Sequence, residues 1–232
     1  MTMHNAIIAG ASGLVGDELI HLLLKREDIQ HVYALGRREL PLHSSKLQQC
    51  IHPELHLDLC LNEGELPLPA PDFGFICLGT TKKQAGSRQA LEAVDYHLVK
   101  HVAEQMKAHG VKHIVVISSL FASRRSPSHY LRCKGKMEHA LIGMGFEHCI
   151  FVRPGPLRGE RGHPRKDELL VQSIFDALHP LAVGPLSNFD PIPAEQVAKR
   201  MIELAFAATR RELPAVLTLS GRMLLDKPAV TL

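Results

Sequence analysis

Apolar residues along this chain alternate between two periodicities. Short, almost unbroken runs occur at Ala6-Ile7-Ile8-Ala9, Val32-Tyr33-Ala34-Leu35, Phe73 to Leu78, Ile114-Val115-Val116-Ile117 and Cys149-Ile150-Phe151-Val152, as expected of strands buried on both faces. Between them the spacing changes to that of helices: Val15, Leu19, Leu22 and Leu23; then Leu91, Val94, Leu98 and Val102; then Met137 and Leu141; and later Val197, Met201, Leu204 and Ala205. The second of these helices is predicted from about Arg88 to His109, with Gly110 as its C-cap. A weaker alternation, Leu55, Leu57 and Leu59 within Glu54 to Leu59, predicts a third strand, and Ala215 to Leu219 a last one. Strand–helix–strand repetition calls for a parallel sheet with helices on both faces. The expected fold class is α/β, a doubly wound parallel sheet of order 3-2-1-4-5-6, in a single domain spanning 1–232.

The first strand runs into Gly10-Ala11-Ser12-Gly13-Leu14-Val15-Gly16, and a helix follows at once. Glycines at this junction let the strand turn sharply and let backbone approach a pyrophosphate, which the N–H groups and dipole of the new helix would hold. The alternative is a Gly-rich turn with no ligand. No Lys follows Gly16, so a mononucleotide P-loop is not supported. The second strand ends at Gly36-Arg37-Arg38, completing a βαβ unit of about 30 residues. An acid at that end would bind a free ribose 2′-hydroxyl, whereas Arg accommodates a 2′-phosphate. Arg37 and Arg38 therefore favour NADPH/NADP, while nearby Glu39 leaves NAD open as the less favoured choice. Asp58, near the end of the predicted third strand, is placed to cap an adenine pocket or simply to form a turn. Leu78-Gly79-Thr80-Thr81 closes the fourth strand at the same crevice. Lys82 and Lys83 beyond it fit a solvated loop better than a phosphate contact.

Tyr130 and Lys134 are one helical turn apart and share a face. A phenol is a poor acid–base group at neutral pH, and an adjacent ammonium stabilises its ionised form. Ser118-Ser119 ends the preceding strand; Ser119 is preferred over Ser118 as the hydroxyl that would hold a substrate carbonyl. The alternative has the Tyr130 ring in the core and Lys134 in solvent. Asp95 falls near the start of an apolar stripe, either half exposed or supporting this site through hydrogen bonds.

Composition narrows the partners. Hydrophobic residues are 45% and charged residues 22%, the balance of a globular domain. A net charge of +3 without a long basic run argues against nucleic acid, and no apolar run reaches the ~18 residues that span a bilayer. The first residues carry no basic targeting pattern, and five scattered cysteines without a CxxC pair read as reduced thiols, so a cytoplasmic protein is expected. No metal site is expected: His97 and His101 could share a helix face, but they lack the HExxH context and no Cys or carboxylate constellation accompanies them. Arg158, Arg161, Arg165 and Lys166 could attract an anionic substrate, although such runs are usually solvated.

Taken together, the glycine loop, Leu35-Gly36-Arg37-Arg38, Leu78-Gly79-Thr80-Thr81, Ser118-Ser119, Tyr130-x-x-x-Lys134 and Arg153-Pro154-Gly155 resemble the short-chain dehydrogenase/reductase superfamily. The nearest likeness is to its atypical NmrA-like branch, in particular the Tat-interactive-protein (oxidoreductase HTATIP-like) group, over residues 5 to about 157. The resemblance implies a Rossmann fold, with 5–155 as the cofactor-binding core and 156–232 as a small C-terminal substrate-covering region. It implies cofactor contacts from Gly10, Ser12, Gly13, Leu14, Val15, Gly16, Arg37, Arg38, Leu78, Gly79, Thr80, Pro154 and Gly155. Tyr130 would be the proton donor/acceptor, with Lys134 binding the nicotinamide ribose. The activity implied is NADPH-dependent hydride transfer to or from a small-molecule carbonyl or alcohol. Some members of the branch only sense NADP(H) and bind a protein partner, which is the alternative. Sugar-nucleotide epimerisation generally needs a larger C-terminal part. The residues leave the substrate, the hydride stereochemistry and the oligomeric state open.

Overall fold

The computed structural model describes residues 2–57, 70–80, 82–159 and 191–225. Strands β1 (His4–Ala9), β2 (Ile29–Gly36), β3 (Leu47–Ile51), β4 (Phe73–Ile76), β5 (His113–Ile117), β6 (His148–Arg153) and β9 (Val216–Ser220) form one sheet in the order β3-β2-β1-β4-β5-β6-β9. Every pairing within it is parallel. A separate two-stranded ribbon joins β7 (Leu157–Arg158) to β8 (Ile192–Pro193).

Parallel strands need a cover on each face, and the residues alternate accordingly. Ala6, Ile8, Val115, Ile150 and Val152 pack with Leu19 and Leu23 of α1 (Leu14–Lys25) and with Val197 and Met201 of α6 (Ala194–Thr209). Ile7, Ala9, Ile76, Ile114, Val116 and Phe151 form the other layer. There they meet Val99, Val102 and Met106 of α4 (Val99–Ala108) and Met137 and Leu141 of α5 (His129–Ile142). Period-two alternation with both faces apolar is why the sequence shows continuous runs.

The structure corrects one expectation and adds detail to two. The third strand is Leu47–Ile51, not Glu54 to Leu59. It lies at the sheet edge beside β2 and is mostly half-buried, so its sequence, Leu-Gln-Gln-Cys-Ile, shows no hydrophobic alternation. Leu55 and Leu57 are buried for another reason: Gln105 on α4 accepts from the Leu57 N–H (2.6 Å) and donates to the Leu55 carbonyl (2.9 Å), pinning a loop. Second, the last strand, expected at Ala215 to Leu219, is β9 and extends the expected order as a seventh strand outside β6. Third, the helix expected from about Arg88 to His109 is present from Arg88 to Ala108, but its winding changes part-way. α2 (Lys82–Ala85) and α3 (Arg88–Glu92) lead into a π-helical turn, Ala93–Leu98, before α4 begins. Val111 and Gly110 N–H groups bond the last turn of α4, with Gly110 at φ +86°, as its predicted capping role requires. Among the described residues, no helix is long and apolar enough to cross a membrane.

Candidate active site

The carboxyl ends of β1, β4, β5 and β6 carry most of the predicted site residues. At the end of β1, Gly10 adopts φ +91°, and a Cβ there would lie 2.7 Å from the Cys77 carbonyl carbon. A Cβ at Gly16 would lie 2.1 Å from the Gly10 carbonyl oxygen, so α1 docks on the loop only because this residue has no side chain. The Gly13 N–H donates to Gly10 O (3.0 Å), and the Asp17 N–H to Gly13 O (2.8 Å). No side chain caps α1 at Gly13. Among the described residues, its first N–H groups therefore have no capping side chain, which suits an anion. Ser12 is exposed; Leu14 and Val15 have their side chains in the core, so they can offer a ligand only backbone. Arg37 and Arg38 lie exposed just past the end of β2. Asp58 lies outside the described residues, as do Thr81 and the cations from Arg161 to Lys166.

At the end of β4, the Thr80 N–H donates to Asp95 Oδ2 (3.0 Å). Asp95 is fully buried in the π-helical turn, and its Oδ1 lies 2.8 Å from Nζ of Lys134, which is itself only 2% exposed. Of the two placements left open for Asp95, half exposed or hydrogen-bonded to its neighbours, the structure shows the second. Lys134 Nζ also faces the carbonyls of Leu78 (3.5 Å) and Ile117 (3.4 Å). A Cβ on Gly79 would lie 3.2 Å from Asp95 Oδ1 and 3.5 Å from Nζ, so this glycine borders the pair. Burial pulls the Lys134 pKa down, but Tyr130 and Asp95 beside it more than offset this, and the net direction is upward. The ammonium thus stays charged although it is out of water. Its three N–H groups are directed at protein oxygens, so a ribose could be held only by exchanging the two long carbonyl contacts.

Tyr130 is half-buried in the first turn of α5, close enough to Lys134 to act on its charge. The helix starts at Ser128, whose hydroxyl accepts from the Leu131 N–H (3.5 Å). The two serines after β5 differ. Ser119 Oγ donates to the Leu120 carbonyl (3.3 Å), whereas Ser118 Oγ is buried with no hydrogen-bond partner among the described residues. Beyond β6, buried Pro154 accepts from the Leu120 N–H (3.1 Å), tying the Pro154-Gly155 turn to the serine loop. Arg153 forms a two-pronged ion pair with Glu138 of α5, one bond at 2.8 Å, which raises its pKa and locks α5 onto β6. His97 and His101 have different ring neighbours, Tyr96 at 4.8 Å and His56 at 5.0 Å.

The chain is 31% identical over 220 residues to "Protein FMP52, mitochondrial" of Meyerozyma guilliermondii, covering 93% of this chain and 91% of the relative. The protein of the same name in Candida glabrata is 32% identical over 221 residues, covering 93% and 92%. The chain belongs to the FMP52 family. A family model described as HIM1 also matches residues 74–179, from β4 onward. The FMP52 relatives replace the NmrA-like branch as the demonstrated kinship, and they overturn the cytoplasmic expectation, since both are named as mitochondrial proteins. Among solved structures, a short-chain dehydrogenase/reductase of Saccharomyces cerevisiae superposes with TM-score 0.66 at 14% identity, covering 98% of each chain. MoeE5, in complex with UDP-glucose and NAD, superposes with TM-score 0.67 at 19% identity, covering 93% of this chain and 76% of its own. At these identities the likeness shows the fold, which is the Rossmann-like parallel sheet of short-chain dehydrogenases and epimerases.

Proposed function

We propose that this protein is an NADPH-dependent oxidoreductase acting on a carbonyl or alcohol carbon, with Tyr130 moving the proton. The observation that carries the reading is the buried Asp95–Lys134 pair, one helical turn from Tyr130 and seated at the carboxyl ends of β4 and β5. A buried ammonium needs a reason, and stabilising a phenolate beside it is one. The uncapped start of α1, at the end of β1, fits a diphosphate. Arg37 and Arg38 favour a 2′-phosphate, and a related fold is known with NAD bound. When bound, the nicotinamide would give or accept hydride. In reduction, the Tyr130 hydroxyl would donate its proton to the carbonyl oxygen as the carbon is reduced, while Lys134 stabilises the charge left on the phenol. Ser119, or Ser118 with its unpartnered hydroxyl, would hold that oxygen by hydrogen bonding. The motif likeness to the NmrA-like branch supports a second reading, an NADP(H) sensor that binds without turnover.

The test is titration with NADPH, NADH and their oxidised forms, followed by a turnover screen across carbonyl compounds. Binding of NADPH with turnover that Tyr130→Phe abolishes is the expected result. Binding without turnover on any compound selects the sensor reading, and failure of every dinucleotide to bind overturns both.

A further inference from the structure

A second cluster of chemically able side chains lies on another part of α5. His129 and Cys133 are four residues apart and share a helix face; Glu92, the last residue of α3, meets them from the neighbouring helix. One ligand atom from each, a ring nitrogen, the thiol sulfur and a carboxylate oxygen, lies within 4.8 Å of the others. Cys133 Sγ is 3.6 Å from His129 Nε2, and Glu92 Oε2 is 3.9 Å from the same nitrogen. Tetrahedral zinc, with Zn–S about 2.3 Å and Zn–N about 2.0 Å, sets its sulfur and nitrogen ligands roughly 3.5 Å apart. The thiol is buried, whereas the His129 and Glu92 side chains are 21% and 27% exposed and leave an approach from solvent.

We propose that Glu92, His129 and Cys133 form a binding site for a borderline-soft divalent cation of the zinc type. Thiolate, imidazole and carboxylate are the donor set that zinc prefers over calcium or magnesium. Three protein ligands leave a fourth position for water. On binding, the Cys133 sulfur loses its proton to solvent and bonds the metal as thiolate; no electron changes hands. The His129 ring coordinates through Nε2, so its proton sits on Nδ1. That moves the proton off Nε2, which now donates to the Arg88 carbonyl (3.1 Å), and requires the Arg132 guanidinium, now 3.4 Å from Nδ1, to turn aside while keeping its 2.7 Å bond to the Ser126 carbonyl. Lys136, 2.9 Å from Glu92 Oε1, occupies the other carboxylate oxygen and competes with the cation for it. The site bridges the end of α3, just before Asp95, to the turn of α5 that holds Tyr130. An ion there fastens these two elements to each other. The geometry stands independently of the dinucleotide reading.

The experiment titrates the full chain, without dinucleotide, with Co2+ as a spectroscopic stand-in and then displaces it with Zn2+. The expected result is a thiolate-to-cobalt charge-transfer band with tetrahedral d–d absorption, absent in Cys133→Ser. Glu92→Gln and His129→Asn each weaken binding by at least about tenfold. Lys136→Gln strengthens it, because the competing cation is gone. Should Cys133→Ser fail to fold by circular dichroism, the other three variants, each altering a partly exposed side chain, decide. No thiolate band in the wild type, a band that survives Cys133→Ser, or affinity unmoved by Glu92→Gln and His129→Asn would each overturn the site. The last two patterns would mark adventitious binding at other thiols or surface histidines.

Discussion

Nζ of Lys134 lies 2.8 Å from Oδ1 of Asp95, and neither side chain is more than 2% exposed. The aspartate comes from a π-helical turn, whose wider winding breaks the helix register at that point. Burying two charges is costly, and each is tolerable only because the other is present. Asp95→Asn keeps an acceptor for the Thr80 N–H but strands the ammonium. It should lower unfolding free energy by about 3–5 kcal/mol. Asp95→Asn combined with Lys134→Met should recover most of that loss. Urea denaturation at neutral pH measures both, and a single-variant loss under about 1 kcal/mol would show the pair to be weaker than its burial implies.

Arg37 and Arg38 stand exposed at the end of β2, so replacing them should cost little stability. Hydrogen bonds to a charged group contribute about 1.5–3 kcal/mol, or roughly 10- to 100-fold in affinity. Replacing both by Ala should weaken NADPH binding by about that factor and leave NADH within about twofold. Calorimetric titration reads the ratio; equal losses for the two dinucleotides would remove the arginines from the 2′-phosphate.

How much of this was legible beforehand follows from burial. β1, β2, β4, β5 and β6 announce themselves because helices cover both faces and their central positions are apolar. The edge strand Leu47–Ile51 does not, since half-buried Gln49 satisfies a turn rather than a core, bonding the Leu40 N–H (2.7 Å) and carbonyl (3.1 Å). Tyr130 and Lys134 were readable because one helix turn joins them. Asp95 was visible only as an acid on an apolar stripe, because its partner is 39 positions away on another helix. Glu92, His129 and Cys133 were invisible for the same reason, one ligand coming from a different element. The unpartnered hydroxyl of Ser118 depends on the loop beyond β5, which no periodicity describes.

Gly16→Ala tests the glycine loop by the clash it would create. Its Cβ would sit 2.1 Å from the Gly10 carbonyl oxygen, a backbone atom that can yield only if the loop shifts. A stability loss of about 1–3 kcal/mol is expected, together with a larger relative loss of dinucleotide affinity. Ser12→Ala, at an exposed position of the same loop, should leave stability within about 0.5 kcal/mol. Thermal melts with and without NADPH separate the two effects. A Gly16→Ala protein that melts and binds like the wild type would contradict the close packing.

At the far ends of β5 and β6 the register pairs His113 with His148, and their Nδ1 atoms lie 2.9 Å apart in a buried contact. Only one of those nitrogens can carry the shared proton. His148 Nε2, 3.1 Å from the Leu213 carbonyl, is the donor there, so its Nδ1 accepts from the Nδ1–H of His113. Burial first, and the His148 ring second, push the His113 pKa below its ordinary value of 6.5. The unfolded chain therefore takes up this proton before the folded one does. Stability should be highest above about pH 6.5 and fall as the medium is acidified, by at most about 1.4 kcal/mol per pH unit for a single proton. Paired carboxylates act in a lower range: Arg26, for one, holds Asp28 below its ordinary value of 3.8, so that contribution is lost only in stronger acid. His113→Asn can keep a donor toward His148 without titrating. It should flatten the stability curve between pH 7 and 5, whatever it costs at neutral pH, and urea midpoints across that window measure the slope. An unchanged slope in the variant would locate the acid sensitivity in another group.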